Sequence, residues 1–199
     1  MTVVDWGEAS RARDGDSSGD LCMVRPHRAG MLIAAMDALG HGPDAAATAA
    51  TARGVLESDD HASLFLLLER CHERLRGTRG VALSLAYLDQ PAATLTWIGV
   101  GNVVGLLVRG DTPGTRHDTS LLLRKGVVGR NLPRLSAETL PVIAGDRLIF
   151  ATDGIASDFG EDALGSGSPE RHARRILDHH FRGDDDALVI VAELREIGS

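Results

Sequence analysis

The spacing of apolar residues changes along the chain, and the changes mark its elements. Two short apolar runs, residues 21–24 and 31–36, flank Arg25-Pro26-His27-Arg28-Ala29-Gly30, the pattern of a strand pair joined by a turn. Upstream, residues 11–19 are rich in Asp, Gly and Ser and read as a loop. Gly42-Pro43 opens an Ala-rich stretch that predicts a helix to about Leu56, because Pro at the first helical position lacks only an N–H that would be unpaired there anyway. Leu64, Leu67, Leu68, Cys71 and Leu75 recur at helical spacing and predict a second helix, capped by Asp59 or Asp60 and ending near Arg76.

After Gly77 the texture turns to β. Residues 81–88 and 93–100, separated by Asp89-Gln90-Pro91, predict a hairpin, and 102–108, 120–123 and 147–152 predict further short strands. A helix over 169–181 and a strand over 187–194 complete the order. Strands that follow one another, instead of alternating with helices, predict an α+β domain with meandering antiparallel sheets, spanning residues 1–199 as one unit.

Composition narrows the function. A formal charge of -7 disfavours a polyanion, so nucleic acid is not an expected partner. No run approaches the roughly 20 apolar residues of a membrane helix, and no basic-then-apolar leader opens the chain, so no membrane partner and a cytoplasmic location are expected. Cys22 and Cys71 lack metal-ligand spacing and read as reduced, buried thiols. Gly99-Val100-Gly101-Asn102-Val103-Val104-Gly105 has the wrong spacing for a dinucleotide fingerprint and runs into β-prone sequence; it reads as a strand turn. His179 and His180 would point about 100° apart on a helix and cannot share an ion, and His72 and His117 lie far from the acidic motifs.

The informative residues are aspartates where apolar runs stop. Asp20 follows Ser18-Gly19, Asp37 opens Asp37-Ala38-Leu39-Gly40-His41-Gly42, Asp153 lies between Thr152 and Gly154, and Asp185 belongs to Asp184-Asp185-Asp186 before the last strand. Carboxylates at strand ends can converge on a hard divalent cation, and neighbouring glycines let the backbone approach closely. Any single Asp-Gly is an ordinary turn. The set in this order is the signal.

That set resembles the metal-dependent protein phosphatases, the protein phosphatase 2C-like or SpoIIE-type family, over nearly the whole chain, and its compact stressosome members most of all. The resemblance implies an αββα sandwich, two stacked antiparallel sheets flanked by helices, with two divalent cations, Mn²⁺ or Mg²⁺, at one edge. It implies that Asp37 bridges both, that Asp153 and Asp185 hold one, that the Ala38 carbonyl serves the other, and that Asp20 acts near the second. Metal-activated water would then hydrolyse phosphoserine or phosphothreonine on a regulatory protein, a phosphorylated STAS-domain protein being the natural partner, and His41 would protonate the leaving oxygen. Two departures stand out: Ala38 where glycine is frequent, and Leu188 where a small hydroxyl residue is usual. The second leaves open whether Asp184, Asp185 or Asp186 is the ligand. Together they are the support for the alternative, an inactive phosphatase-like module that binds a partner. No arginine matches a phosphate-binding position; Arg11 and Arg13 are near Asp20 in sequence only.

Overall fold

A computed structural model of the chain describes residues 2–13, 15, 17–58, 60–110 and 118–196. Among these, ten strands form two five-stranded sheets. The first has the order β2-β3-β4-β5-β8, from Asp20–His27, Gly30–Ala38, Val81–Asp89, Thr94–Val100 and Glu138–Pro141. The second has the order β1-β10-β9-β6-β7, from Thr2–Arg11, Ala187–Glu196, Arg147–Ala151, Val104–Val108 and Thr119–Ser120. Every ladder is antiparallel. Helices α1 (Pro43–Glu57) and α2 (Leu64–Arg74) cover the first sheet, and α3 (Pro169–His180) covers the second.

Alternation along the strands builds three apolar layers. On β3, Leu32, Ala34 and Met36 meet the first helix pair, while Ile33 and Ala35 face the other sheet. On β10, Leu188, Ile190 and Ala192 face inward, and Val189 and Val191 lie under α3. Period-two side chains with both faces buried explain why these strands read as continuous apolar runs. Burial of side chains such as Trp97, Phe150 and Leu83, each under 2 % exposed, stabilises the sandwich by roughly 1.5–3 kcal/mol apiece. The αββα expectation is borne out.

Local departures have physical causes. Strand β1 was not expected from the sequence: it is an edge strand, Trp6 on it stays 44 % exposed, and Gly7 interrupts its alternation. Gly7 is needed because a side chain there would run into the Glu170 backbone at the start of α3. The cap of α2 is Ser63, whose Oγ accepts the Leu66 N–H at 3.2 Å, while Asp60 instead pairs with Arg25. Asp59 and His117 lie outside the described residues. The strand expected over 120–123 shrinks to β7. Beyond it, Leu121 N–H donates to Gly105 at 2.8 Å and Arg124 N–H to Gly99 at 3.1 Å, so the segment passes between two strands without a ladder of its own. The Gly99–Gly105 stretch is a strand turn, as expected, and both cysteines are free and buried.

Candidate active site

The register of β2 and β3 sets Asp20 directly opposite Asp37. Facing residues of an antiparallel pair point to the same side with Cβ atoms about 5 Å apart, and like charges so placed repel. Both continue the inward-facing rows, Cys22 on β2 and Ile33 and Ala35 on β3, so their carboxylates lie between the sheets at the end of the sandwich. The opposite sheet delivers Thr152, Asp153 and residues 184–186 to the same end, from the close of β9 and the start of β10.

Thr152 joins the sheets. Its hydroxyl donates to Asp20 Oδ2 at 2.6 Å and accepts the Leu188 N–H at 2.8 Å. A hydroxyl therefore stands beside the backbone of Leu188 although residue 188 lacks one. Asn102, in the β5–β6 turn after Gly101, donates to Asp153 Oδ2 at 2.5 Å. Ala38 is anchored from both sides: it pairs with Val81, and its N–H donates to the Gly19 carbonyl at 3.1 Å. Gly40 has φ 85°, so the loop after Asp37 needs glycine there for its conformation, and the flexible end of the Arg79 side chain lies against it.

The triple aspartate resolves into three environments. Asp186 is 4 % exposed, and its carboxylate accepts the backbone N–H groups of Gly19 at 2.7 Å and Arg13 at 2.8 Å. Its oxygens fix the loop that leads into β2. Among the described residues Asp185 accepts only the N–H of Asp186, at 2.8 Å, and its charge acts on both Asp37 and Asp153. Asp184 is exposed.

Burial and mutual repulsion raise the proton affinity of this group. Burial first, then Asp37, pushes Asp20 up to about 8 against the opposing hydrogen bond from Thr152. Burial first, then Asp153 and Asp185, pushes Asp37 up to about 7. Asp153 is raised by burial and Asp185, opposed by the Asn102 hydrogen bond and the charge of Arg182. Four carboxylates thus act on one another at one edge. Among the described residues no three side chains of metal-ligating type already stand at the spacing that encloses a single ion. The donor set nonetheless fits hard divalent cations, since it is all oxygen and a cation would relieve the repulsion that raises these acids.

His41 is exposed on the Asp37 loop. Arg11 pairs with Asp178 at 3.4 Å and stacks over Phe181 at 4.9 Å, which engages its guanidinium in the α3 end. Arg13 contributes its backbone to Asp186. Sequence reasoning did not assign Asn102 or Arg182 to the site. Asn102 had a local signal, a polar amide directly after a turn glycine with φ 104°. Arg182 had none; its N–H donates to the Gly154 carbonyl at 2.9 Å, which seats it beside Asp153.

Two stacked five-stranded antiparallel sheets between helices, with carboxylates gathered at one end, define the class of PP2C-type phosphatases. The chain belongs to the SpoIIE family: the model of Stage II sporulation protein E matches residues 27–197, a span that includes Asp37, Asp153 and Asp185 and begins after Asp20. Among solved structures, it is 30% identical, with a TM-score of 0.86, to a protein from a study of the bacterial stressosome as "a modular system that has been adapted to control secondary messenger signaling", covering 96% of this chain and 100% of that one. It is also similar to RsbX in complex with magnesium, at 21% identity and TM-score 0.84 over 96% of this chain and 95% of that one. The catalytic domain of the serine/threonine phosphatase PstP with two manganese ions shares the fold at 17% identity and TM-score 0.72, over 98% and 100% of the two chains. No curated protein matches the sequence. No helix of the described residues is long and apolar enough to cross a membrane.

Proposed function

We propose that the chain hydrolyses phosphoserine or phosphothreonine esters on a bacterial regulatory protein, as an RsbX-like phosphatase of a stress-response or partner-switching system. The observation that carries this reading is the enforced meeting of Asp20 and Asp37 across β2 and β3, with Asp153 and Asp185 brought to them from the other sheet. In this reading Asp37, Asp153, Asp185 and the Ala38 carbonyl hold two divalent cations, Mn²⁺ or Mg²⁺, with Asp20 beside the second. Bound there, such cations lower the pKa of water and offset charge on phosphoryl oxygens. The magnesium bound by RsbX and the manganese bound by PstP support that choice of cofactor.

The residues around the carboxylates have separate tasks. Thr152 and Asn102 orient Asp20 and Asp153, Asp186 holds the loop that positions Gly19 and Asp20, and Arg182 offers a cation to the incoming phosphate. His41 donates a proton to the leaving oxygen. The likeness to a stressosome protein supports a phosphorylated regulatory partner, for which a STAS-domain protein is the natural candidate. The alternative, an inactive module that binds a partner, keeps Ala38 and Leu188 as its support, and a phosphate-release assay separates the two readings.

The test is phosphate release in Mn²⁺ by the wild type, Asp37→Asn and His41→Gln. Asp37→Asn is expected to lower turnover by about a thousandfold or more while remaining folded, and His41→Gln by roughly tenfold. Equal rates for wild type and Asp37→Asn would remove Asp37 from the mechanism.

A further inference from the structure

Residues 121–137 carry Arg124, Lys125, Arg130 and Arg134 and no acidic residue, in a protein whose formal charge is -7. All four side chains are exposed, and none has an ion-pair partner among the described residues. The segment does not wander over the surface. Its backbone is pinned at both ends of a short path along the candidate active site.

At the near end, Arg124 N–H donates to Gly99 at 3.1 Å and its carbonyl accepts the Gly101 N–H at 2.9 Å. These bonds grip the turn whose next residue, Asn102, holds Asp153. At the far end, Val128 exchanges both backbone hydrogen bonds with Val81, at 2.9 and 3.0 Å, and the Gly129 N–H donates to His72 Nδ1 at 3.0 Å. This brings Arg130 alongside Gly80 and Arg79. Arg79 and Arg130 then line one open cavity of about 420 Å³ with Asp44, Thr48 and Thr78. Arg79 itself leans on Gly40 of the Asp37 loop and pairs with Asp44 at 3.1 Å, leaving Arg130 as the uncompensated charge in that cavity.

We propose that this basic rim, Arg124, Lys125 and Arg130 with Arg79, is the docking surface for an acidic stretch of the phosphoprotein beside its phosphorylated residue. The proposal rests on the phosphatase reading for what the partner is. Charge complementarity argues for the occupant: in a net-acidic protein, Arg124, Lys125 and Arg130 form a run of exposed cations, without ion-pair partners among the described residues, that reaches from the Asn102 turn toward the Asp37 loop. A carboxylate-rich segment entering over Arg130 would be steered toward the edge where Asp37 and Asp153 stand, and the rest of the molecular field would repel it elsewhere.

The test uses the full chain and two fluorescein-labelled phosphoserine peptides, one with four glutamates around the phosphoserine and one with glutamines in their place. Binding is read by anisotropy, and hydrolysis of a small aryl phosphate in Mn²⁺ is read separately. The wild type is expected to bind the glutamate peptide about tenfold more tightly at low salt, a preference that collapses near 1 M NaCl, where the Debye length is about 3 Å. Lys125→Glu and Arg130→Glu should each remove most of that preference, with glutamine-peptide binding and aryl phosphate turnover within about twofold of wild type. A wild type blind to the glutamates, or reversals that shift both peptides alike, would overturn the rim. Loss of aryl phosphate turnover in the wild type would instead refute the phosphatase reading, and the anisotropy comparison would still judge the rim.

Discussion

Strand β9 starts after a buried aspartate, Asp146, and ends two residues before a half-buried one, Asp153, and the two are treated in opposite ways. Asp146, 0% exposed, accepts hydrogen bonds from Arg109 Nη1 at 2.8 Å, Gly110 N–H at 2.9 Å and Ile143 N–H at 3.1 Å. Its charge is matched by a guanidinium and its oxygens are occupied. Past the strand, Asp153 has one hydrogen-bond donor among the described residues, Asn102, and shares its surroundings with Asp37 and Asp185. Burial alone does not decide function, since Asp20 at the other end is buried like Asp146. A buried acid surrounded by donors is a fastener, whereas one surrounded by other acids keeps free oxygens at an electrostatic cost that binding of a cation would relieve.

Substitution should separate the two ends most sharply. Asp146→Ala strips Arg109 of its charge partner, leaving it the Pro141 carbonyl alone, and takes the acceptor from two backbone N–H groups; it is expected to cost about 3 kcal/mol, or on the order of 6–12 °C in melting temperature. The fraction that stays folded should turn over at the wild-type rate. Asp37→Asn should do the reverse: turnover is lost, while the metal-free protein melts higher because a repelled carboxylate is gone. Thermal melts beside phosphate release would expose a failure at once, since a folded but inactive Asp146→Ala would place Asp146 in the chemistry.

The two ends also differ in how they couple folding to pH. Asp20 and Asp37 rise from 3.8 to about 8 and about 7 on folding, so between these values the folded chain binds more protons than the unfolded one. Stability then falls with rising pH. Their contribution is fully present below about pH 4 and is lost as pH climbs through 7 and 8. The metal-free protein is expected to melt several degrees higher at pH 5 than at pH 8, and saturating Mn²⁺ should reverse that order by favouring the ionised forms. Identical slopes with and without Mn²⁺ would mean that the carboxylates do not meet the cation.

Much of this edge is legible in the amino-acid sequence. Apolar runs that stop at Asp37 and Asp153 mark strand ends, and the order of the acids along the chain points to the family. What could not be read depends on partners far away in sequence. Asp60 looks like a helix cap until Arg25, on another element, draws it off and leaves the task to Ser63. Leu188 looks like a lost hydroxyl, and its side chain joins the apolar layer between the sheets while its N–H is met by Thr152 from the end of β9. Strand β1 was hidden because an edge strand with an exposed tryptophan and a glycine cut for α3 carries little alternation. Three consecutive aspartates are chemically identical in a string of letters, and only the direction of the backbone distinguishes them.

That last distinction gives the finest test of the contrast between fastener and ligand, because it operates between neighbours. Asp185, whose charge acts on Asp37 and Asp153, is a cation ligand in the proposed reading, so Asp185→Asn is expected to weaken Mn²⁺ binding by about tenfold or more. Asp186→Asn keeps one acceptor oxygen but replaces the other with an amide that cannot accept from Gly19 or Arg13. It should loosen the approach to Asp20 and cost about 1–3 kcal/mol of stability, with only a few-fold loss of metal affinity. Asp184→Asn removes an exposed charge that acts on Asp153 only as the last of its causes, and should leave stability and affinity within about twofold of wild type. Calorimetric titration with Mn²⁺ alongside melting curves ranks the three, and an Asp186→Asn variant that loses more metal affinity than Asp185→Asn would exchange the roles assigned to these two residues.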